Sequence, residues 1–186
     1  MAPDVPYGRL PADQIVPALP KRVWFHAVGA PLGDSERDEC ARYLTGLGLT
    51  HWELVGVSTW GEAVARASRS SWSDAWWERE REEERRLFER ALARHSHDTL
   101  LLRLANLMQG SAKLFHSPAS VACTRAGVTD STIATCAAGA AAQSLHQYGL
   151  ASITGQDDEH FFAAKFRLFL AGRWPLCVSG DTFYVF

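Results

Sequence analysis

The chain has 186 residues, 47% hydrophobic and 22% charged, with a formal net charge of −2. This is the make-up of an ordinary globule, long enough to bury a core. Its near-neutral charge gives no electrostatic footprint for nucleic acid or an anionic membrane as partner.

Residues 1–20 carry Pro3, Pro6, Pro11, Pro17 and Pro20, which forbid regular helix and central strand, so an extended arm is expected. The arm has no basic start and no apolar run, unlike a secretory signal. No later stretch approaches the roughly 20 apolar residues of a membrane span. Cys40, Cys123, Cys136 and Cys177 form no C-x-x-C pair and read as reduced thiols of a cytoplasmic protein.

Val23 to Val28 is rich in β-branched and aromatic residues and predicts a strand. Asp34 or Ser35 then caps a helix to about Leu47, with Cys40, Tyr43, Leu44 and Leu47 as its apolar stripe. Thr50 to Val57 predicts a second strand, parallel to the first in a βαβ unit. Thr59 with Glu62 forms a capping box for the next helix.

From Ser73 or Asp74 a long helix runs to about Arg94, and its middle, Glu78 to Arg86, is nine consecutive charged residues. With no apolar face over two turns, that stretch is expected to project into solvent. Asp98 starts a helix to about Phe115, and Ser117-Pro118 starts a short one ending at Gly127. Residues 129–150 contain a run of small side chains from Ala134 to Ala142 and predict a central helix enclosed by neighbours. Asp157 or Asp158 caps the last helix, which bears Phe162, Phe166, Phe169 and Leu170 and stops at Gly172. Around Ser179-Gly180-Asp181 the chain forms a hairpin.

Together the elements predict a predominantly helical α+β fold. An N-terminal βαβ unit and the C-terminal hairpin form a small mixed sheet, packed on a helical bundle around the 129–150 helix. One domain, 1–186, is expected, divided into an arm (1–20), a βαβα part (21–70), a helical part (73–172) and the hairpin (173–186).

Two strand-to-helix junctions invite chemistry and are better explained without it. Gly29-x-x-x-Gly33 lacks the pattern of a dinucleotide or Walker loop, and Asp34, Glu36, Asp38 and Glu39 beside it would repel phosphate. Ser58 in Gly56-Val-Ser-Thr-Trp-Gly61 departs from a nucleophile elbow, because Trp60 stands where the second glycine belongs.

Two functional readings remain. The first is a non-enzymatic interaction protein that binds a protein partner or a second copy of itself through Trp72, Trp76, Trp77, Arg81 and Arg85, since Trp and Arg dominate interface hot spots. The second is a metal-dependent enzyme. If the later helices fold back on each other, His95, His97, Asp98, His146, Asp158 and His160 gather at one pole as ligands for a divalent metal. A weaker third reading is a small-ligand pocket between the βαβ part and the helices.

Overall fold

The computed structural model describes residues 19–49, 51–67, 72–156 and 159–186. The arm therefore enters it only at a 3-10 turn, Leu19–Lys21; the remainder of the arm, residues 68–71 and the Asp157 and Asp158 caps lie outside the described residues. In chain order the elements are α1 (Asp34–Gly46), β1 (Glu53–Gly56), α2 (Trp60–Ala67), α3 (Asp74–Leu92), α4 (His97–Met108), α5 (Ser111–Arg125), α6 (Ser131–Ile153), α7 (Phe161–Leu170), β2 (Pro175–Ser179) and β3 (Thr182–Val185). The class is the expected one, mostly helical α+β with a small mixed sheet.

The sheet has the order β1-β3-β2. β3 is central, antiparallel to β2 across the hairpin turn and parallel to β1, with Glu53 opposite Thr182 and Gly56 opposite Val185. The hairpin is folded into the body, as its apolar end predicts: Trp174, Cys177, Val178, Phe183, Val185 and Phe186 are all buried.

The expected strand at Val23 to Val28 does not form, and with it goes the βαβ unit. Residues 24–29 are a run of turns, with Phe25 at φ 56° and Gly29 at φ 77°. The reason lies far along the chain. Arg173, 4% exposed, donates to the carbonyls of Ala27, Ala30 and Pro31 and pairs with Glu36, Nε to Oε1 at 2.7 Å and Nη2 to Oε2 at 3.0 Å. A buried guanidinium thus satisfies the Ala27 carbonyl of that segment and the Ala30 and Pro31 carbonyls just after it. Gly29 is needed as glycine: a Cβ there would meet Ser58 O at 2.9 Å.

The helices begin where local chemistry satisfies their first N–H groups. Ser73 accepts from the Trp76 N–H, Ser96 from Thr99, Asp130 from Thr132 and His160 Nδ1 from Phe162. Thr59 accepts from Glu62, so the Gly56 to Gly61 junction is a helix cap. Gly33 N–H donates to Glu36 Oε2 at 2.7 Å, which makes the Gly29 to Gly33 loop an α1 start. The predicted Asp98 to Phe115 helix is broken earlier than expected: Gly110, at φ 78°, separates α4 from α5, and Pro118 lies inside α5.

The central helix is α6. It contacts α3, α4, α5 and α7, and Ala134, Ala137, Ala138 and Ala141 are buried. Its enclosure is uneven. Leu145 and the run from Gln147 to Ala151 are buried, whereas Thr132, Thr135, Cys136, Gly139 and Gln143 are exposed. α7 packs on both α1 and α6 and brings Phe162, Phe166, Phe169 and Leu168 into the core.

Candidate functional site

The nine-residue charged run does not stand out in solvent. α3 lies along α6, and its inner stripe is Trp76, Glu80, Leu87 and Ala91, all buried, with Glu83 and Glu84 half-buried on the same side. Carboxylates turn inward because cations and amides meet them there. Glu80 Oε1 accepts from Lys165 Nζ at 2.5 Å and from the Tyr43 hydroxyl at 2.6 Å. The Trp76 indole N–H donates to Tyr43 Oη at 2.7 Å, and Lys165 also donates to Gln147 Oε1 at 3.3 Å. Tyr43, Trp76, Glu80, Gln147 and Lys165 thus form one buried polar chain tying α1, α3, α6 and α7 together. Burial, followed by the Glu80 charge and hydrogen bond, pushes the Tyr43 hydroxyl well above its ordinary pKa.

One turn further on, Glu84 Oε2 accepts from Gln143 at 2.9 Å and from Gln147 at 3.3 Å, and its Oε1 lies 3.5 Å from His146 Nδ1. Burial alone would raise this carboxyl. Hydrogen bonds from His146 and Gln147, with the charges of His146 and Lys165, outweigh it and hold Glu84 below the ordinary range. Glu83 Oε1 lies 3.3 Å from His160 Nε2. Burial lowers the His160 pKa, and Glu83 opposes that only in part.

Between α3, α4, the exposed half of α6 and the start of the hairpin there is a cleft of about 900 Å³. The α3 side presents Trp72, Trp76, Trp77, Arg81, Arg85 and Phe88. The α4 side presents Leu101, Leu104, Ala105 and Met108, and the α6 side Cys136, Gly139, Ala140 and Gln143. The buried polar chain reaches the cleft through Tyr43, Glu80, Gln147 and Lys165. The tryptophans form a triangle, with ring centroids 5.1 Å apart for Trp72 and Trp77, 5.5 Å for Trp72 and Trp76, and 6.3 Å for Trp76 and Trp77. α4 has two apolar faces. Leu100 and Leu104 are buried, while Leu101 is 46% exposed beside the open space.

Gly139 belongs to this geometry. It sits mid-helix, where glycine costs about 1 kcal/mol relative to alanine, and a Cβ there would have nothing within 4 Å. The missing side chain keeps the α6 wall flat. Gly149, ten positions later on the same helix, is the opposite case: a Cβ there would run into Leu107.

All five residues expected to meet a partner, Trp72, Trp76, Trp77, Arg81 and Arg85, line the cleft. They are not a protruding patch: Trp76 is 4% exposed and its indole is committed to Tyr43. The residues expected at the histidine pole fall in two places among the described residues. His146 and His160 are beside Glu84 and Glu83, while His97, 3.7 Å from Asp98, and His95 follow the end of α3. Eight residues separate Glu84 from Leu92, about 12 Å of helix rise. Among the described residues no three His, Cys, Asp or Glu side chains are grouped as a metal would require, and Asp158 lies outside those residues.

Sequence reasoning missed the inward carboxylates and Tyr43. One signal could have found them: Lys165 stands among the apolar residues of Phe-Phe-Ala-Ala-Lys-Phe-Arg-Leu-Phe-Leu, and a buried ammonium needs a carboxylate. Three of the four thiols are buried, and Cys136, on the cleft wall, is exposed. Burial raises the Cys40 thiol, aided by Glu36 and Glu39, to about 12, and raises Cys177 to about 11.

Among the described residues no helix is long and apolar enough to cross a membrane. No protein-family model matches this chain, and neither the curated proteins nor the solved structures contain a significant match.

Proposed function

We propose that this chain is a non-enzymatic binding protein that takes up a small amphipathic molecule in the α3–α4–α6 cleft. The observation that carries the reading is the cleft itself. Its volume of about 900 Å³ lies in the range of sites that enclose small organic ligands, and its walls are apolar and aromatic with a few polar groups at one side. Those polar groups mostly bond to one another: Glu80 to Lys165 and Tyr43, Glu84 to Gln143 and Gln147. Such bonds brace the wall, and a rigid wall lowers the ordering cost of binding. The reading keeps the three tryptophans expected from the sequence and changes the guest. A concave tryptophan triangle, with Trp76 buried and Trp72 and Trp77 half-buried, suits a small molecule better than a flat partner surface.

The test uses N-phenyl-1-naphthylamine, a neutral fluorescent aromatic probe, with emission followed during titration. Saturable binding to the wild type is expected. Gly139→Leu projects a side chain into the cleft without crowding the helix and is expected to weaken binding at least tenfold, the size of a loss of about 1.4 kcal/mol. Its circular dichroism should match the wild type. Wild-type affinity in Gly139→Leu, or no saturable binding at all, overturns the reading.

A further inference from the structure

We propose that the guest is an amphiphile with an anionic head, and that Arg81 and Arg85 hold that head at the edge of the cleft. This rests on the cleft being a ligand site and adds the chemical class of the ligand.

The argument starts from which charges on α3 are already answered. Arg79 donates to the carbonyls of Leu47 and Gly48. Arg86 pairs with Glu82 at 2.6 Å and Glu83 at 3.5 Å, and Arg90 donates to Gln156. Glu80 and Glu84, the two carboxylates on the cleft, are met by Lys165, Tyr43, Gln143, Gln147 and His146. Arg81 and Arg85 differ. Both are exposed, both line the cleft, and among the described residues neither forms an ion pair. Glu78, also exposed, is not on the cleft wall. Among the described residues, the two guanidinium groups of the run met by neither a carboxylate nor a carbonyl are therefore the two that border apolar space.

Their spacing fits one head. Four residues apart, they stand on one face of α3, about 6 Å apart along its axis, close enough for two long side chains to converge. A guanidinium presents a planar fork of N–H donors that matches carboxylate, sulfonate and phosphate oxygens. Trp77, four residues before Arg81, and Phe88, three after Arg85, continue the same wall. Opposite them are Leu101 and Met108. A bare inorganic ion would leave most of the space unfilled, whereas an anion with an apolar body would fill it.

The test compares 8-anilinonaphthalene-1-sulfonate with N-phenyl-1-naphthylamine, which has the same aromatic body without the charge. Wild type is expected to bind the sulfonate at least about tenfold more tightly, as charge-assisted hydrogen bonds require. That advantage should shrink in about 0.5 M NaCl, where exposed charges are screened. The Arg81→Gln, Arg85→Gln double variant should lose the advantage and keep wild-type affinity for the neutral probe. Gly139→Leu should weaken both probes together. Displacement of the sulfonate probe by dodecanoate, with dodecan-1-ol much weaker, would support a carboxylate head; equal displacement by the two counts against an anionic one. Equal wild-type affinity for the two aromatic probes, or an advantage that survives the double variant, overturns the head-group assignment while leaving the cleft reading intact. Loss of the neutral probe in a folded double variant also overturns it, because the arginines would then be supporting the wall. If the wild type binds neither probe, the cleft reading itself falls.

Discussion

The two halves of α6 each carry a glycine, Gly139 and Gly149, in opposite surroundings. From Leu145 to Ala151 every residue but His146 is buried, and a Cβ on Gly149 would displace the Leu107 side chain. From Thr132 to Gln143 one side is open, and Gly139 faces space. The two glycines therefore do two jobs in one helix. In the closed half Gly149 lets Leu107 approach; in the open half Gly139 leaves room. Composition does not separate these jobs, and what packs opposite each residue does.

The largest expected effect comes from the polar chain where the halves meet. Glu80→Ala strands the Lys165 ammonium, whose side chain is 10% exposed, and removes the acceptor of the Tyr43 hydroxyl. Breaking a buried pair from one side costs about 3–5 kcal/mol, so urea unfolding should show a loss of that order. The Glu80→Leu, Lys165→Met double variant should recover much of it. A loss below about 1 kcal/mol for Glu80→Ala, the scale of an exposed pair, would mean the chain does not brace the two halves.

Next come the two glycines, which test the comparison directly. Gly149→Ala overpacks the closed half and should cost about 1–3 kcal/mol despite the better helix former. Gly139→Ala has no neighbour to strike and should gain up to about 1 kcal/mol. Opposite signs in thermal unfolding sharpen the contrast. The same sign at both sites breaks it.

The smallest effect is a pH dependence. His160 has its folded pKa lowered by burial, so the unfolded chain takes up the proton first as pH falls. Stability from this group is complete above the unfolded histidine pKa of about 6.5 and declines as pH drops through that value toward the folded one. Glu84, also lowered, adds a loss of the same sign at lower pH, where its carboxylate is finally protonated. The melting temperature should therefore fall on acidification below about pH 6.5, and His160→Gln should flatten the upper part of that slope. An unchanged slope in the variant would remove His160 from the account.

Much of the fold was readable because its cues are local. The Thr59 and Glu62 cap, the serine before α3 and the Ser179-Gly180-Asp181 turn act within a few residues of themselves. The unreadable parts depend on distant partners. Trp24 and Phe25 look like strand residues, and Arg173, more than 140 positions away, supplies donors that help hold the turns that follow them. Glu80 looks like a solvent residue until Lys165, 85 positions later, is placed beside it. Five residues of the cleft were visible as a Trp and Arg stripe. That they form a hollow was not, because α4 and α6 make the hollow, and Gly139 shows its purpose only when nothing is found in front of it.

The parallel pairing of β1 with β3 has a bearing on how the protein is made. Gly56 is translated 126 residues before Thr182, which at ribosomal speeds of about 5–20 residues per second is an interval of about 6–25 s. Throughout it the nascent Glu53–Gly56 segment has no β3 to join. Its hydrogen-bonding groups must stay hydrated or be shielded by a chaperone until the hairpin leaves the exit tunnel.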